Sequence, residues 1–327
     1  MDSNKIICLR PEEDFTNVGV NVPESLRVLY LSPDDPILNI EIKDASALVI
    51  PAVGKPIDSN LFIGSSCKFI QVTGAGVDRL NRPELEKQDI SVANVQGGSN
   101  ESIAQYCVGA AISLLRGMPY CNEELSNGNY DRARKRILGE RRKEITGLNV
   151  GIVGFGNIGK SVARAFNFFG ANIYFHDPMI QSDYVDEDFS AKSQSLDGLL
   201  PLVDILSIHV PLIDETRNLF SRDKLDVIKD DAIILNASRG GVLDEKEILE
   251  MMSKGKFQGL AIDVYEKEPP EDDNPFLVIG KEVKDRIIMT PHIAGISYQA
   301  WAGLFQSSWD NVVRVVIDKQ FPKNKVY

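Results

Sequence analysis

The chain has 327 residues, 43% of them hydrophobic and 25% charged, enough for two packed cores and ordinary for a globular protein. A formal net charge of −11 opposes non-specific attraction to nucleic acid or an anionic membrane, so neither partner is expected, and a small substrate handled with a cofactor fits better. Cys8, Cys67, Cys107 and Cys121 show no CxxC spacing, so neither disulfides nor a structural metal is expected. The N-terminus, MDSNKIICLRPEEDF, lacks a basic segment followed by an apolar one, and no apolar run approaches about 18 residues, so a soluble cytoplasmic protein is expected.

Before residue 100, the runs VLYL (from Val28), ALVIPA (from Ala47) and KFIQVTGAGVD (from Lys68) alternate with polar segments, which predicts a small α/β unit with parallel strands. Glu101 to Arg116, ESIAQYCVGAAISLLR, carries apolar residues at helical spacing on more than one face and predicts a long, buried helix connecting two domains. A basic cluster follows: Arg132, Arg134, Lys135, Arg136, Arg141, Arg142 and Lys143. It comes without interleaved aromatic residues or a reading motif, so a solvated or subunit-contact face is the better reading.

The apolar run NVGIVG, from Asn149, breaks into Gly154-Phe155-Gly156-Asn157-Ile158-Gly159 and leads into a stretch of helical spacing, SVARAFNFFG. A GxGxxG alone is only a flexible loop, but between a strand and a helix it is a dinucleotide fingerprint. Its first glycine allows the turn, its second lets backbone approach a pyrophosphate, and its third lets helix and strand pack closely. The start of the helix, at Asn157, Ile158 and Gly159, offers N–H groups to the phosphates. Asp177 ends the next strand, NIYFHD, roughly 20 residues on, where an acid bonds a ribose 2′-hydroxyl and favours NAD over NADP. From Asn149 onward NVGIVGF, NIYFHD, DILSIHVP, AIILNASRG, LAIDVY and IIMTPH each end in polar or glycine-rich turns, which predicts a doubly wound sheet. Asp177, His209, Arg239, Asp263 and His292, just past strand ends, then converge on one crevice. Ser297 to Lys319 returns to helical spacing, with Trp301, Leu304, Trp309 and Val312 or Val313 as packing residues, and is predicted to fold back on the first domain.

Hydride chemistry at an alcohol carbon needs an acid–base group, a grip on the substrate anion and a bound nicotinamide. Of the three histidines, His176 lies beside the ribose acid, and His209 either touches the cofactor or satisfies a backbone carbonyl. His292, between Thr290-Pro291 and Ile293-Ala294-Gly295, is the best candidate base. Glu268 in DVYEKEPP can supply its carboxylate partner, with Glu266 and Glu271 as competitors and a solvated acidic loop as the plain reading. Arg239 in NASRGG suits a bidentate grip on a substrate carboxylate, against a surface arginine near a helix start.

The segments GFGNIG, HDP, HVPLIDET, NASRGG, DVYEKEP and TPHIAG, in this order, resemble the NAD-dependent D-isomer-specific 2-hydroxyacid dehydrogenase family, and the similarity runs from QVTGAGVD to KQFPKNKVY. The resemblance implies that Arg239 orients the substrate carboxylate and carbonyl, that Glu268 pairs with His292, and that His292 moves the hydroxyl proton as hydride passes to or from nicotinamide. It further implies that backbone N–H groups of Ala75 and Gly76 bind the carboxylate, and that Asp263 lies near the nicotinamide carboxamide. Gly154, Gly156, Asn157, Ile158, Gly159, Asp177, His209, Thr216, Ala237 and Asp263 would contact NAD. The implied fold is α/β with two domains, each a parallel sheet flanked by helices, the larger of Rossmann type, with the active site in the cleft between them. Residues 1–100 plus 296–327 would form a discontinuous substrate-binding domain and 101–295 the NAD-binding domain, with a homodimer formed largely through the latter.

Three departures qualify the likeness. Gln105 stands where the family usually has glutamate, and a structural effect is expected. Pro51-Ala52-Val53-Gly54-Lys55 replaces an arginine common in phosphoglycerate dehydrogenases, which points away from a phosphorylated substrate, although Lys55 could partly substitute. Glu268 speaks against the formate dehydrogenase branch, which has glutamine there. Substrate choice is expected to rest on residues such as Val53, Tyr298 and Trp301, the last two more often core or interface aromatics. The alternative from another class is an NAD(H)-sensing binding protein resembling the C-terminal-binding-protein corepressors, which retain the same three residues; phosphite oxidation, with no feature in its favour, is a third.

Overall fold

The computed structural model describes residues 4–140, 142–180 and 190–327; of the basic cluster, Arg141 lies outside them. The chain divides into two compact units, one made of the described residues up to Ser99 together with Ile296–Tyr327, the other of Asn100–Gly295.

The first unit is built on five parallel strands in the order β2-β1-β3-β4-β5, where β1 is Lys5–Cys8, β2 Arg27–Tyr30, β3 Ala47–Ile50, β4 Phe69–Val72 and β5 Ser91–Ala93. Every residue of β1, β3 and β4 is buried, as expected of strands covered on both faces. One face is closed by the helix Tyr298–Val316, whose Phe305 and Trp309 rings lie 4.7 and 5.2 Å from that of Phe15. The helix thus packs on the N-terminal sheet, with Leu304, Trp309 and Val312 buried. Trp301 is half-buried beneath the Arg10 guanidinium, 4.9 Å from its ring centroid, and Tyr298 is 61% exposed. Asn311 reaches from this helix to Gln71 Oε1 on β4 at 2.7 Å and exchanges hydrogen bonds with Lys323, satisfying buried amides. The last residues pair antiparallel with β5, Val326 N–H donating to Val92 O at 2.8 Å and Val92 N–H to Tyr327 O at 3.0 Å.

The second unit has seven parallel strands in the order β12-β11-β10-β9-β6-β7-β8, which reverses beside β6. They are β6 (Asn149–Val153), β7 (Asn172–His176), β8 (Ala191–Ser193), β9 (Ile205–Ile208), β10 (Ile233–Asn236), β11 (Gly259–Ile262) and β12 (Ile287–Met289). This is the doubly wound sheet of Rossmann type, with its ligand crevice expected at the carboxyl ends of the strands where the order reverses. The helix Asn100–Arg116 packs on the helix Asn157–Phe168 and belongs to this unit. Its Gln105 is exposed, and Ser161 donates to Glu101 Oε1 at 3.1 Å. Of the described residues of the basic cluster, Arg132, Arg134 and Lys135 are exposed, and the other three are used internally. Arg136 lies over the Tyr120 ring and pairs with Glu140 and Asp285, Arg142 caps Leu114 and Leu115 carbonyls, and Lys143 pairs with Asp204 and Asp231. All four cysteines are free thiols. Among the described residues, no helix is long and apolar enough to cross a membrane, and no group of side chains could hold a metal ion.

Candidate active site

The turn after β6 is shaped by three glycines with three different constraints. Gly154 has φ +89°, and a Cβ there would lie 2.5 Å from the carbonyl oxygen of His209, so the ends of β6 and β9 touch where the strand order reverses. A Cβ on Gly159 would lie 2.1 Å from the Gly154 oxygen, which reserves that position for glycine as the helix packs on the turn. Gly156 faces open space, with nothing within 4 Å of its would-be Cβ, and no side chain caps the helix Asn157–Phe168 that follows. The first turn, Asn157, Ile158 and Gly159, is therefore an uncovered positive helix end beside an open space, a cradle that fits a pyrophosphate. Phe155 stacks on Phe175 at 4.0 Å beneath it.

Asp177 follows β7. Its Oδ2 accepts the Phe155 N–H at 2.8 Å and its Oδ1 the Met179 N–H at 2.9 Å, so the carboxylate is locked to the glycine-rich turn with one lone pair left on each oxygen. His176 is tied through Nδ1 to Gln194 O at 3.0 Å, a structural contact. His209 is half-buried: Nε2 meets Ser207 Oγ at 2.8 Å, whereas Nδ1 is buried without a partner, and desolvation pushes its pKa down to about 3. It does not satisfy a backbone carbonyl; it is a neutral ring with one orphaned nitrogen at the end of β9, the kind of buried polar atom a ligand amide can complete. Thr216 spends its hydroxyl locally, donating to Pro211 O at 2.6 Å and accepting from Ile213 N–H at 2.9 Å, so it shapes the turn. Ala237 is half-buried directly after β10.

Nδ1 of His292 lies 2.7 Å from Glu268 Oε2. A carboxylate oxygen accepts, so the ring proton sits on Nδ1 and Nε2 is the nitrogen that can face a substrate. The other carboxylate oxygen, Oε1, accepts the Tyr265 N–H at 3.0 Å, which fixes Glu268 from behind. Tyr265 also donates its hydroxyl to Thr290 O at 3.1 Å, and burial pushes that phenol up to about 12. His292 adopts φ +55°, a left-handed conformation that costs energy unless its surroundings enforce it. Asp263 supplies that enforcement. Its Oδ1 accepts from Thr290 Oγ1 at 2.6 Å and Ile293 N–H at 2.8 Å, and its Oδ2 from Ala294 N–H at 2.8 Å. Burial raises the Asp263 pKa against these donors, and Tyr106 OH closes the network on Thr290 Oγ1 at 2.7 Å. Glu266 and Glu271 are not part of it: the Glu266 N–H is held by Glu245, and Glu271 pairs with Lys267.

Arg239 lies in the turn after β10. Asn236 Oδ1 accepts from Ser238 N–H and Oγ at 3.2 and 2.8 Å, and Asn236 Nδ2 donates to Arg239 O at 3.3 Å, so one amide organises the whole turn. A Cβ on Gly240 would lie 1.9 Å from Tyr265 O, which brings the Arg239 turn against the Glu268 segment. None of the bracing residues Tyr265, Thr290, Asn236 and Tyr106 was given a role by sequence; the DVYEKEP, TPHIAG and NASRGG motifs that contain three of them were the only signal.

In the first unit, Gly74-Ala75-Gly76 follows β4. Val95 N–H donates to Gly74 O at 3.0 Å and Asn94 Nδ2 to Ala75 O at 2.7 Å. The neighbouring Pro51–Lys55 loop is held by Arg79, which donates to Pro51 O at 2.8 Å and Lys55 O at 2.7 Å, and its Val53 is exposed.

Residues 108–294 match the sequence model of the D-isomer specific 2-hydroxyacid dehydrogenase, NAD binding domain, which identifies the cofactor of the second unit as NAD. The chain is 32% identical over 252 residues to a D-3-phosphoglycerate dehydrogenase of Methanocaldococcus jannaschii, covering 77% of this chain and 46% of that one. It therefore spans about half the length of that relative. It is 30% identical over 259 residues to a hydroxypyruvate reductase of Thermotoga maritima, covering 79% and 81% of the two chains. The solved structure of D-2-hydroxyisocaproate dehydrogenase superposes with a TM-score of 0.82 at 22% identity, covering 98% of this chain and 99% of that one, a likeness of fold.

Proposed function

The chain belongs to the D-isomer specific 2-hydroxyacid dehydrogenase family, and from that premise we propose that it interconverts a small 2-oxoacid and the corresponding D-2-hydroxyacid with NAD(H). The observation that carries the reading is the 2.7 Å contact between His292 Nδ1 and Glu268 Oε2, made beyond the carboxyl ends of the same sheet whose β6 leads into a turn that suits a dinucleotide. The bound nicotinamide supplies or accepts the hydride. In the direction of reduction, His292 as an imidazolium gives its Nε2 proton to the substrate oxygen, and in oxidation the neutral Nε2 takes it back, while Glu268 holds the ring and the Nδ1 proton in place. Arg239 orients the substrate carboxylate and carbonyl, and the N–H groups of Ala75 and Gly76 bind the carboxylate. Asp263 is a positioning residue for His292 as well as a neighbour of the nicotinamide, and neutral His209 adds a polar contact to the cofactor.

Substrate identity beyond this class rests on the relatives, named for phosphoglycerate and hydroxypyruvate, and on a first unit without an arginine in the Pro51–Lys55 loop, which favours an unphosphorylated oxoacid. The reading includes a homodimer. Its support is the exposure of Met118, Leu125, Tyr130 and Leu138 on and beside the helices Met118–Ser126 and Tyr130–Gly139 of the NAD-binding unit. The named relatives are dehydrogenases and reductases, which does not favour the nucleotide-sensing alternative.

The test is NADH oxidation with glyoxylate, hydroxypyruvate, pyruvate, phenylpyruvate, 2-oxoisocaproate and 3-phosphohydroxypyruvate, with NADPH in parallel. Turnover of at least one oxoacid, lost by about 100-fold or more in His292→Ala with NADH binding retained, is the expected result. Unimpaired turnover in that variant would remove His292 from the chemistry, and silence across the panel would remove the activity.

A further inference from the structure

The loop assigned above to the substrate carboxylate has a geometry that can be traced to one side chain. In a trans peptide the C=O and N–H point in opposite directions. Val95 N–H holds the Gly74 carbonyl at 3.0 Å, which turns the Ala75 N–H away from β5. Asn94 Nδ2 holds the Ala75 carbonyl at 2.7 Å, which turns the Gly76 N–H the same way. Among the described residues neither of those two N–H groups makes a hydrogen bond, and Ala75 is exposed while Gly76 is half-buried. Two successive N–H groups pointing to one side form a concavity that binds an oxyanion.

The two carbonyl clamps differ in kind. That of Val95 is main chain and follows from the strand that precedes it. That of Asn94 is a side chain, 6% exposed, and its Oδ1 has no partner. Reversing the amide would set oxygen against the Ala75 oxygen, so the orphaned Oδ1 is the consequence of spending Nδ2 on the loop. A buried amide kept with half its capacity unused is a cost to stability that the loop orientation explains. Behind the loop, a Cβ on Gly74 would lie 3.0 Å from Ala52 Cβ, so the clamped peptides have little room to rotate elsewhere.

We infer that Asn94 is a positioning residue for substrate binding: its amide sets the Ala75–Gly76 peptide so that both N–H groups face the carboxylate of the 2-oxoacid. The inference rests on the activity and carboxylate site proposed above. The carboxylate is held alike in the ground and transition states, so loosening the loop raises KM and spares kcat. Asn94→Ala removes the clamp. Asn94→Asp keeps the shape but sets a carboxylate against the Ala75 carbonyl when ionised and restores a donor when protonated.

The test uses the full chain with NADH, glyoxylate and hydroxypyruvate as substrates and oxamate as a competing carboxylate. Both variants are expected to raise KM and the oxamate inhibition constant together by about 10- to 100-fold, the loss of one hydrogen bond to a charged group. The kcat should change by less than about threefold and NADH affinity should not change. For Asn94→Asp, KM should fall back toward that of the unaltered protein as pH is lowered. A folding defect would instead lower the active fraction, reducing kcat at constant KM with no recovery at low pH, and would overturn the inference, as would an unchanged KM in either folded variant. If the unaltered protein neither turns over these oxoacids nor binds oxamate with NADH present, the parent activity fails and the inference with it. Activity in the unaltered protein with indifferent variants sinks the inference alone.

Discussion

Gly240 and Tyr265 meet backbone to backbone: a methyl group on Gly240 would sit 1.9 Å from the Tyr265 carbonyl oxygen. Tyr265 also donates to Glu268 and to the Thr290 carbonyl, so the segments bearing Arg239, Glu268 and His292 are braced through one residue. Gly240→Ala is expected to cost about 1–3 kcal/mol of stability, the usual range for overpacking. Displacing the three groups should lower turnover by about 100-fold. Urea denaturation with steady-state kinetics checks both, and a variant unchanged in both would mean that the contact is not a brace.

Gly156 makes the opposite case. Its φ of −74° suits any residue and its would-be Cβ meets nothing, so Gly156→Ala should leave unfolding free energy within about 0.5 kcal/mol. The new methyl enters the space assigned to the pyrophosphate, so NADH affinity should fall by about tenfold or more. Fluorescence titration of NADH measures this. Unaltered affinity would place the phosphates elsewhere.

Asp177 gives a prediction about cofactor choice. With each oxygen already accepting one N–H, the carboxylate cannot swing away from the turn. The unaltered protein should prefer NADH to NADPH, and Asp177→Ala should erode the ratio of the two kcat/KM values by about 10- to 100-fold. A natural preference for NADPH would show that this acid does not read the ribose.

His209 sets an acid limb on stability. Its pKa is about 3 when folded against an ordinary 6.5, so the unfolded chain binds the extra proton in between. The contribution is fully present above about pH 6.5 and is lost as pH falls toward 3, at about 1.4 kcal/mol per pH unit. Buried Asp263 and Glu245, whose pKa values are raised, act in the other sense, gaining as pH falls. The informative quantity is therefore the difference between the unaltered protein and His209→Gln. Urea denaturation at pH 7 and pH 5 should show the unaltered protein losing about 2 kcal/mol more than the variant. Equal losses would mean that His209 is not held as a neutral ring.

The strands visible as apolar runs all formed, because a parallel strand covered on both faces must be apolar throughout, as in β4 and β10. Of the strands not read, β5 and β8 are three residues each with little pattern, and β1 is four residues, only three of them apolar. The Glu268–His292 contact was legible because an imidazole and a carboxylate are a natural pair and the motif order singled out these two. Tyr265 and Asn236 were not, since they act through backbone groups whose positions exist only after folding.

The helix Tyr298–Val316 has a consequence for how the chain is made. It delivers Phe305, Trp309 and Val312 to a core whose other walls, Ile6, Phe15, Val49 and Phe69, come from the first 70 residues. On the ribosome, that N-terminal sheet must wait with one apolar face open while the Asn100–Gly295 unit is synthesised and completes its own core. The waiting segment is the period of greatest exposure to proteases and chaperones. Chains released after residue 295 should accordingly be cut within residues 4–99 while 100–295 survive, as mass spectrometry of limited digests would show, and equal protection of both would mean that the first sheet folds unaided.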